Sequence, residues 1–265
     1  MSRGNPIGNA RAHSRIRCLA PFLPSAWITP SPPEPNALYP LLRHALGTPL
    51  TSVLGYLELI QEGGGALPAA LRREYLSRAH ANAHRCVALL NAATELARID
   101  HGNIALIPTP ISVGALLKEV ADAFGALATD RQVGLGLAPV EESLRLTADR
   151  SCLLTVLSHL LRNACSYTAP GGEVLLTAGA SGDRISISVK DSGIGIPEAE
   201  WGCVFSRFYR GSNARGLGAA GSGLGLAIAR ALVGLLGGAL SFRSKVSEGS
   251  VFTVQLPVVP PALLN

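Results

Sequence analysis

The spacing of apolar residues changes character along this chain, and the changes mark its parts. From about Ala37 to Glu62, the residues Leu46, Leu50, Val53, Leu57 and Ile60 are spaced 4, 3, 4 and 3. That alternation predicts a helix with a coiled-coil-like seam rather than a single globular stripe. His44, Thr48 and Thr51 follow the same spacing on another, outward stripe. Pro49 falls inside the helix and is expected to kink it, because proline removes a backbone donor. Gly63–Gly65 ends the helix, and Pro68 can open the next. A second helix is predicted over roughly Ala69–His101, where Ala79, Cys86 and Ala93 repeat at seven, as do Asn82, Leu89 and Leu96. At 1.5 Å per residue it would be ~50 Å long. A lone hairpin of that length buries one face only, so two chains closing into a four-helix bundle is the expected arrangement.

After a short linker, His101–Pro110, the period mixes. Helices are predicted at Ser112–Phe124, at Arg150–Ala164 with Asp149 as N-cap, and at Leu224–Leu236. Strands are predicted at Val133–Leu137, Leu144–Thr147, Val174–Ala178, Ile185–Lys190, Leu240–Arg243 and Val251–Leu256. A short turn is expected around Trp201–Tyr209, followed by a flexible Gly/Ala/Ser segment, Gly211–Ser222.

Composition adds limits. Residues 1–36 hold seven prolines among arginines and serines, which predicts a disordered leader. Arg3, Arg11, Arg15 and Arg17 all precede the first acid, Glu34, so the net charge of +5 belongs largely to that leader. The remainder is close to neutral, which argues against a nucleic-acid partner. Apolar runs are short and broken, so no membrane span is expected. Cysteines 18, 86, 152, 165 and 203 lack CxxC spacing and read as reduced thiols of a cytoplasmic protein. His80 and His84 lie at i, i+4, but with no third ligand in view a solvated helix face is favoured over a metal site.

Chemistry concentrates in four segments. Ile185, Ile187 and Val189 alternate into DSGIGIP (Asp191–Pro197), a strand ending on a lone carboxylate with Gly193 and Gly195 behind it. Glycines there permit a sharp turn and the approach of a planar ligand. The carboxylate can accept from an exocyclic amine; by itself the stretch favours a mere tight turn. His159 and Asn163 share one helix face, from which an Asn oxygen can reach Mg²⁺; a surface polar pair is the other reading. GSGLGL (Gly221–Leu226) leads into a helix, where backbone N–H groups can meet phosphate, or it is linker. Phe205, Phe208 and Tyr209 precede the flexible segment, as anchors of a closing lid would.

Taken in order, LSHLLRNACSYT, DSGIGIP, VFSRFYRG, GSGLGLAIAR and GSVFTVQLP resemble the catalytic ATP-binding domain of sensor histidine kinases, a superfamily shared with DNA gyrase and the ninety-kilodalton heat-shock chaperones. Upstream, RHALGTPLTS resembles the phosphoacceptor motif of these kinases, and ELARIDHGN the end of their dimerisation hairpin. The resemblance implies an α+β fold, with a long helical hairpin followed by a two-layer α/β sandwich. Residues 37–102 would be the hairpin, 108–258 the catalytic domain and 259–265 a tail. It implies ATP and Mg²⁺ as cofactors, a homodimer, and a response-regulator receiver domain as partner. Asn163 would ligate Mg²⁺, and Asp191 would read the adenine amine. Gly193, Gly195 and Tyr167 would shape that pocket. Gly221, Gly223 and Gly225 would admit phosphates beneath a lid at Gly211–Ala220, and Arg210 would reach the γ-phosphate or sit exposed at the lid edge. His44 would be the nucleophile, and Thr48 would aim water during dephosphorylation of the partner.

The departures from the family pattern matter as much. The acid that usually follows the histidine is Ala45, and the arginine before Thr-Pro is Gly47. His159 replaces an Asn, and Ser166 replaces a basic residue. These expectations yield two readings: a kinase autophosphorylating on His44, or a kinase-impaired homologue acting as phosphatase or scaffold. An ATP-gated clamp of the gyrase type would leave the hairpin around His44 unexplained.

Overall fold

The computed structural model describes residues 38–214 and 221–259. The leader over 1–36, positions 215–220 of the expected lid and residues 260–265 lie outside the described residues. Helix α1 spans Leu38–Gly63 and continues through Pro49 without interruption. Helix α2 spans Ala69–Asp100 and packs antiparallel against it, with Tyr56 and Tyr75 in ring contact at 5.7 Å. The seven-residue repeats of α2 point inward: Ala79, Cys86, Leu89, Ala93, Leu96 and Ile99 are buried. The seam of α1 is covered only in part, since Leu50 and Leu57 remain 49% and 41% exposed. Leu54, Leu76, Val87 and Leu90 are exposed as well, so one face of the hairpin stays apolar and open. No described helix is long and apolar enough to cross a membrane.

A five-stranded sheet follows, in the order β2 (Gly134–Leu137), β4 (Glu173–Ser181), β5 (Arg184–Asp191), β7 (Gly249–Pro257), β6 (Ala239–Lys245). Only the β2–β4 pair is parallel. Strand parity places Ile185, Ile187, Val189 and Asp191 of β5 on one buried face. Their register partners on β7 are Leu256, Val254, Phe252 and Ser250, all buried too. Helices α3 (Val113–Asp130), α4 (Arg150–Tyr167) and α5 (Gly225–Leu235) supply the second layer, through residues such as Leu117, Leu157, Leu160 and Ile228. The expected α+β class, a helical hairpin followed by a two-layer α/β sandwich, is thus what the chain forms.

The linker expected at His101–Pro110 is corrected in its second half. Strand β1 (Pro108–Ser112) pairs antiparallel with β3 (Arg145–Asp149) in a separate two-stranded sheet. Two prolines hide this strand from a pattern reading, yet an edge strand tolerates them because one side needs no donors. Helix α3 also runs past Phe124 to Asp130, through Ala126, Leu127 and Ala128, all residues that favour helix.

Asp149 is the expected N-cap of α4, and it does more. Its Oδ1 accepts from Cys152 N at 2.9 Å and from Ser151 Oγ at 2.7 Å, while Oδ2 accepts from Ile107 N at 2.8 Å. One carboxylate therefore joins the start of α4 to the entry of β1. Burial alone would raise this carboxyl, but the donors outweigh it and hold it at about 2, below its ordinary 3.8. A depressed carboxyl stabilises the fold above its unfolded pKa and loses that contribution as pH falls through the folded one. Asp149→Ala is therefore expected to lower stability at neutral pH by about 1–2 kcal/mol. In paired denaturant titrations the gap from wild type should close between about pH 4 and pH 2. A gap that stays constant across that range would remove the assignment.

Candidate functional site

Where β5 ends, Asp191 reaches the floor of a cleft of about 450 Å³ lying between the sheet, α4, α5 and the C-terminal part of α2. That is enough for a ligand of drug or nucleotide size. Only 6% of Asp191 is exposed. Its Oδ1 takes both available backbone donors, Gly193 N at 2.9 Å and Ser250 N at 3.2 Å. Oδ2 has no protein partner among the described residues and is left to accept from whatever fills the cleft. Burial pushes this carboxyl above the usual carboxylate range, and the N–H groups of Gly193 and Ser250 oppose that rise.

The glycines behind it have distinct duties. Gly193 is not in the cleft wall; a Cβ there would sit 2.4 Å from the Tyr167 carbonyl oxygen and 2.8 Å from Asp191 Oδ1. The need for glycine at 193 is thus internal, rather than room for a ligand as the sequence suggests. Gly195 does line the cleft, at φ +65, with a hypothetical Cβ 2.0 Å from the Lys245 carbonyl oxygen. Asn213 Nδ2 donates to the Gly195 carbonyl at 2.9 Å, tying the start of the expected lid to this loop.

Across the cleft, Asn163 and His159 stand one turn apart on α4, with Tyr167 one turn further on. The Asn163 side chain has no hydrogen-bond partner among the described residues. Gly221, Gly223 and Gly225 line the same space at the start of α5, whose N-terminus has no side-chain cap. Gly223 adopts φ +70 against the Phe208 backbone, and Phe208 itself takes φ 60, a conformation rare for a large side chain. Phe205 is anchored edge-on to Phe242 at 5.7 Å. Arg210 is also in the wall.

Of the residues expected from sequence, Asn163, Tyr167, Asp191, Gly195, Arg210, Gly221, Gly223 and Gly225 therefore converge on one cleft. His44 and Thr48 do not; both are exposed on α1. The wall supplied by α2, through Ala88, Asn91, Ala92 and Glu95, was not legible in sequence, because polar residues on a long helix read as a solvated face. Glu95 Oε2 lies 3.8 Å from His159 Nε2. An ion pair, Arg207 to Asp100 at 2.7 Å, joins the end of α2 to the turn before the lid. Among the described residues no three His, Cys, Asp or Glu side chains cluster as a metal cage.

Comparison with known proteins assigns both halves. The family described as Histidine kinase-, DNA gyrase B-, and HSP90-like ATPase matches residues 148–260, and the His Kinase A (phospho-acceptor) domain matches residues 41–102. The sensor protein VanS of Enterococcus faecium is 33% identical over 226 residues, covering 85% of this chain and 58% of VanS. The chain thus spans little more than half of that relative's length. The structure of full-length ShkA in complex with AMPPNP is 28% identical with a TM-score of 0.58, covering 85% of this chain and 46% of ShkA. That of the histidine kinase ThkA in complex with response regulator protein TrrA has a TM-score of 0.66 at 22% identity, covering 83% of this chain and 61% of ThkA, a likeness of fold.

Proposed function

The chain belongs to the sensor histidine kinases of two-component systems, and from that premise we propose that it phosphorylates His44 from ATP and hands the phosphoryl group to a response-regulator aspartate. The observation that carries the reading is Asp191, a buried carboxylate at the floor of a nucleotide-sized cleft with one oxygen already satisfied and the other open. An adenine amine is the donor that Oδ2 can take, with Gly195 and Tyr167 beside the ring. Gly221, Gly223 and Gly225 leave the uncapped N-terminus of α5 accessible, so its N–H groups and dipole favour the phosphates. Arg210 would meet the γ-phosphate.

The residues also fit Mg²⁺. That ion takes oxygen ligands and shares phosphates and waters, so it needs one or two protein oxygens rather than a cage. Asn163 offers such an oxygen on the cleft wall; His159, one turn before it, is a poor ligand for a hard cation. Bound Mg²⁺ would neutralise charge on the β- and γ-phosphates.

In the transfer, an imidazole nitrogen of His44 forms a bond to the γ-phosphorus as the bond to the ADP oxygen breaks, and the ring gives up a proton. Positioning and charge neutralisation do most of this work. His44 lies on α1 outside the cleft wall, so the hairpin and the cleft must be brought together for the step, within one chain or between two. The open face formed by Leu50, Leu54, Leu57, Leu76, Val87 and Leu90 supports a homodimer, in which a second hairpin covers it. The need for ATP and for a receiver domain supports the cytoplasm as the place of this chemistry.

Ala45 favours a second reading, in which ATP is bound but the protein acts mainly as a response-regulator phosphatase or scaffold. Thr48, exposed one turn beyond His44, would then aim the attacking water. Incubating the purified protein with γ-labelled ATP and Mg²⁺ separates the two. Label that is lost in acid and retained in base supports the kinase. Nucleotide binding without label supports the second reading, and absence of nucleotide binding sinks both.

A further inference from the structure

We propose that His80 and His84 chelate a divalent first-row transition-metal ion of the zinc class on the outer face of α2. Their spacing alone favours a solvated face; the structure adds the geometry. The two Nε2 atoms lie 3.2 Å apart on exposed side chains, with the rings nearly perpendicular at 73°. An ion ~2.05 Å from each nitrogen would set them about 3.3 Å apart at a tetrahedral angle and about 2.9 Å at a right angle. The observed separation of 3.2 Å falls between those values, so it matches that of two nitrogens sharing one ion.

The donor set selects the ion. Imidazole nitrogen suits Zn²⁺, Cu²⁺ and Ni²⁺, whereas Mg²⁺ and Ca²⁺ prefer oxygen. This site would thus be chemically separate from the Asn163 cleft. In the metal-free protein one ring can donate its N–H to the other; binding needs that proton only to move to the donor ring's own Nδ1. No third His, Cys, Asp or Glu joins the pair among the described residues, so water completes the coordination. His80 also lines a hollow with Val53, Leu57 and Leu76. The ion therefore sits at the edge of the apolar face that a second hairpin would cover.

The test is titration of the full chain with Zn²⁺ against a chromophoric chelator, in saturating Mg²⁺. Losing one of two linked ligands removes the chelate advantage, so His80→Ala and His84→Ala should each weaken binding on the order of 10²-fold. His101→Ala, at the end of the same helix, should leave it unchanged. Both replaced side chains are exposed, and unchanged circular dichroism would show that the helices persist. Zinc affinity equal to wild type in both variants, or zinc displaced by Mg²⁺, would overturn the proposal.

Discussion

Replacing Asp191 by Asn should lower affinity for ATP on the order of 10²-fold while leaving the fold intact. The structure says why the effect is local. Oδ1 already receives Gly193 N and Ser250 N, and an Asn carbonyl placed there would keep both bonds. The amide nitrogen would then occupy the Oδ2 position and present a donor to the donor amine of adenine. A lost hydrogen bond to a charged group is worth about 1.5–3 kcal/mol, and two facing donors add to that loss. At 1.4 kcal/mol per tenfold this reaches ~10². Burial raises the carboxyl, so its charge costs the unliganded fold energy; removing it should hold or slightly raise the melting temperature. ATP affinity of the wild type should likewise fall on acidification at a pH above the ordinary carboxylate range. Calorimetric titration with ATP beside thermal melts checks both halves. Unchanged affinity would remove the adenine assignment, and a collapse of stability would mean that the carboxylate is structural.

The sequence could place Asp191 because local rules decide its surroundings. A period of two through Ile185, Ile187 and Val189 sends the next odd residue to the same buried face, and glycine follows where the chain must turn. Helices α4 and α5 were legible for similar reasons, one from its cap at Asp149 and the other from the glycines before it. What escaped was decided by contacts distant in sequence. Strand β1 exists because Ile111 pairs with Leu146, and its prolines argue against a strand to any reader without that partner. The α2 wall of the cleft is invisible for the same reason: nothing near Glu95 says that His159 will lie 3.8 Å away. Gly193 shows a subtler limit. A glycine requirement can be read from a motif, but whether it makes room for ligand or for the Tyr167 carbonyl cannot.

These long-range contacts bear on how the two halves work together. Glu95 of α2 lies 3.8 Å from His159, and Asp100 pairs with Arg207 of the catalytic half at 2.7 Å. In this arrangement α2 forms part of the cleft wall, while His44 stays exposed on α1. A phosphoryl transfer to His44 therefore requires those contacts to yield or a second copy to present its histidine. Both pairs are partly exposed, and such pairs contribute little each, so they set a resting arrangement that can be left at modest cost.

Ala45→Glu should raise the rate of autophosphorylation by about 10²-fold, the lower end of what a general base typically contributes. In the proposed transfer His44 would lose a proton as its nitrogen attacks phosphorus, and no described side chain bonds to its ring. The family usually supplies an acid at the next position; here a half-buried methyl group stands there. Glutamate is nearly as good a helix former as alanine, so the exchange should not disturb α1. A carboxylate beside the ring can hold the imidazole in one tautomer and accept its proton. Initial rates of acid-labile labelling, compared at equal ATP occupancy, report the effect. His44→Gln should abolish label in both backgrounds, because glutamine keeps the size and polarity of the side chain but has no nucleophilic nitrogen. If label persists in His44→Gln, another residue is the acceptor and the hairpin assignment fails. If Ala45→Glu leaves the rate unchanged, proton removal from His44 is not what limits this protein, and the slow step lies instead in bringing α1 to the cleft that α2 helps to close.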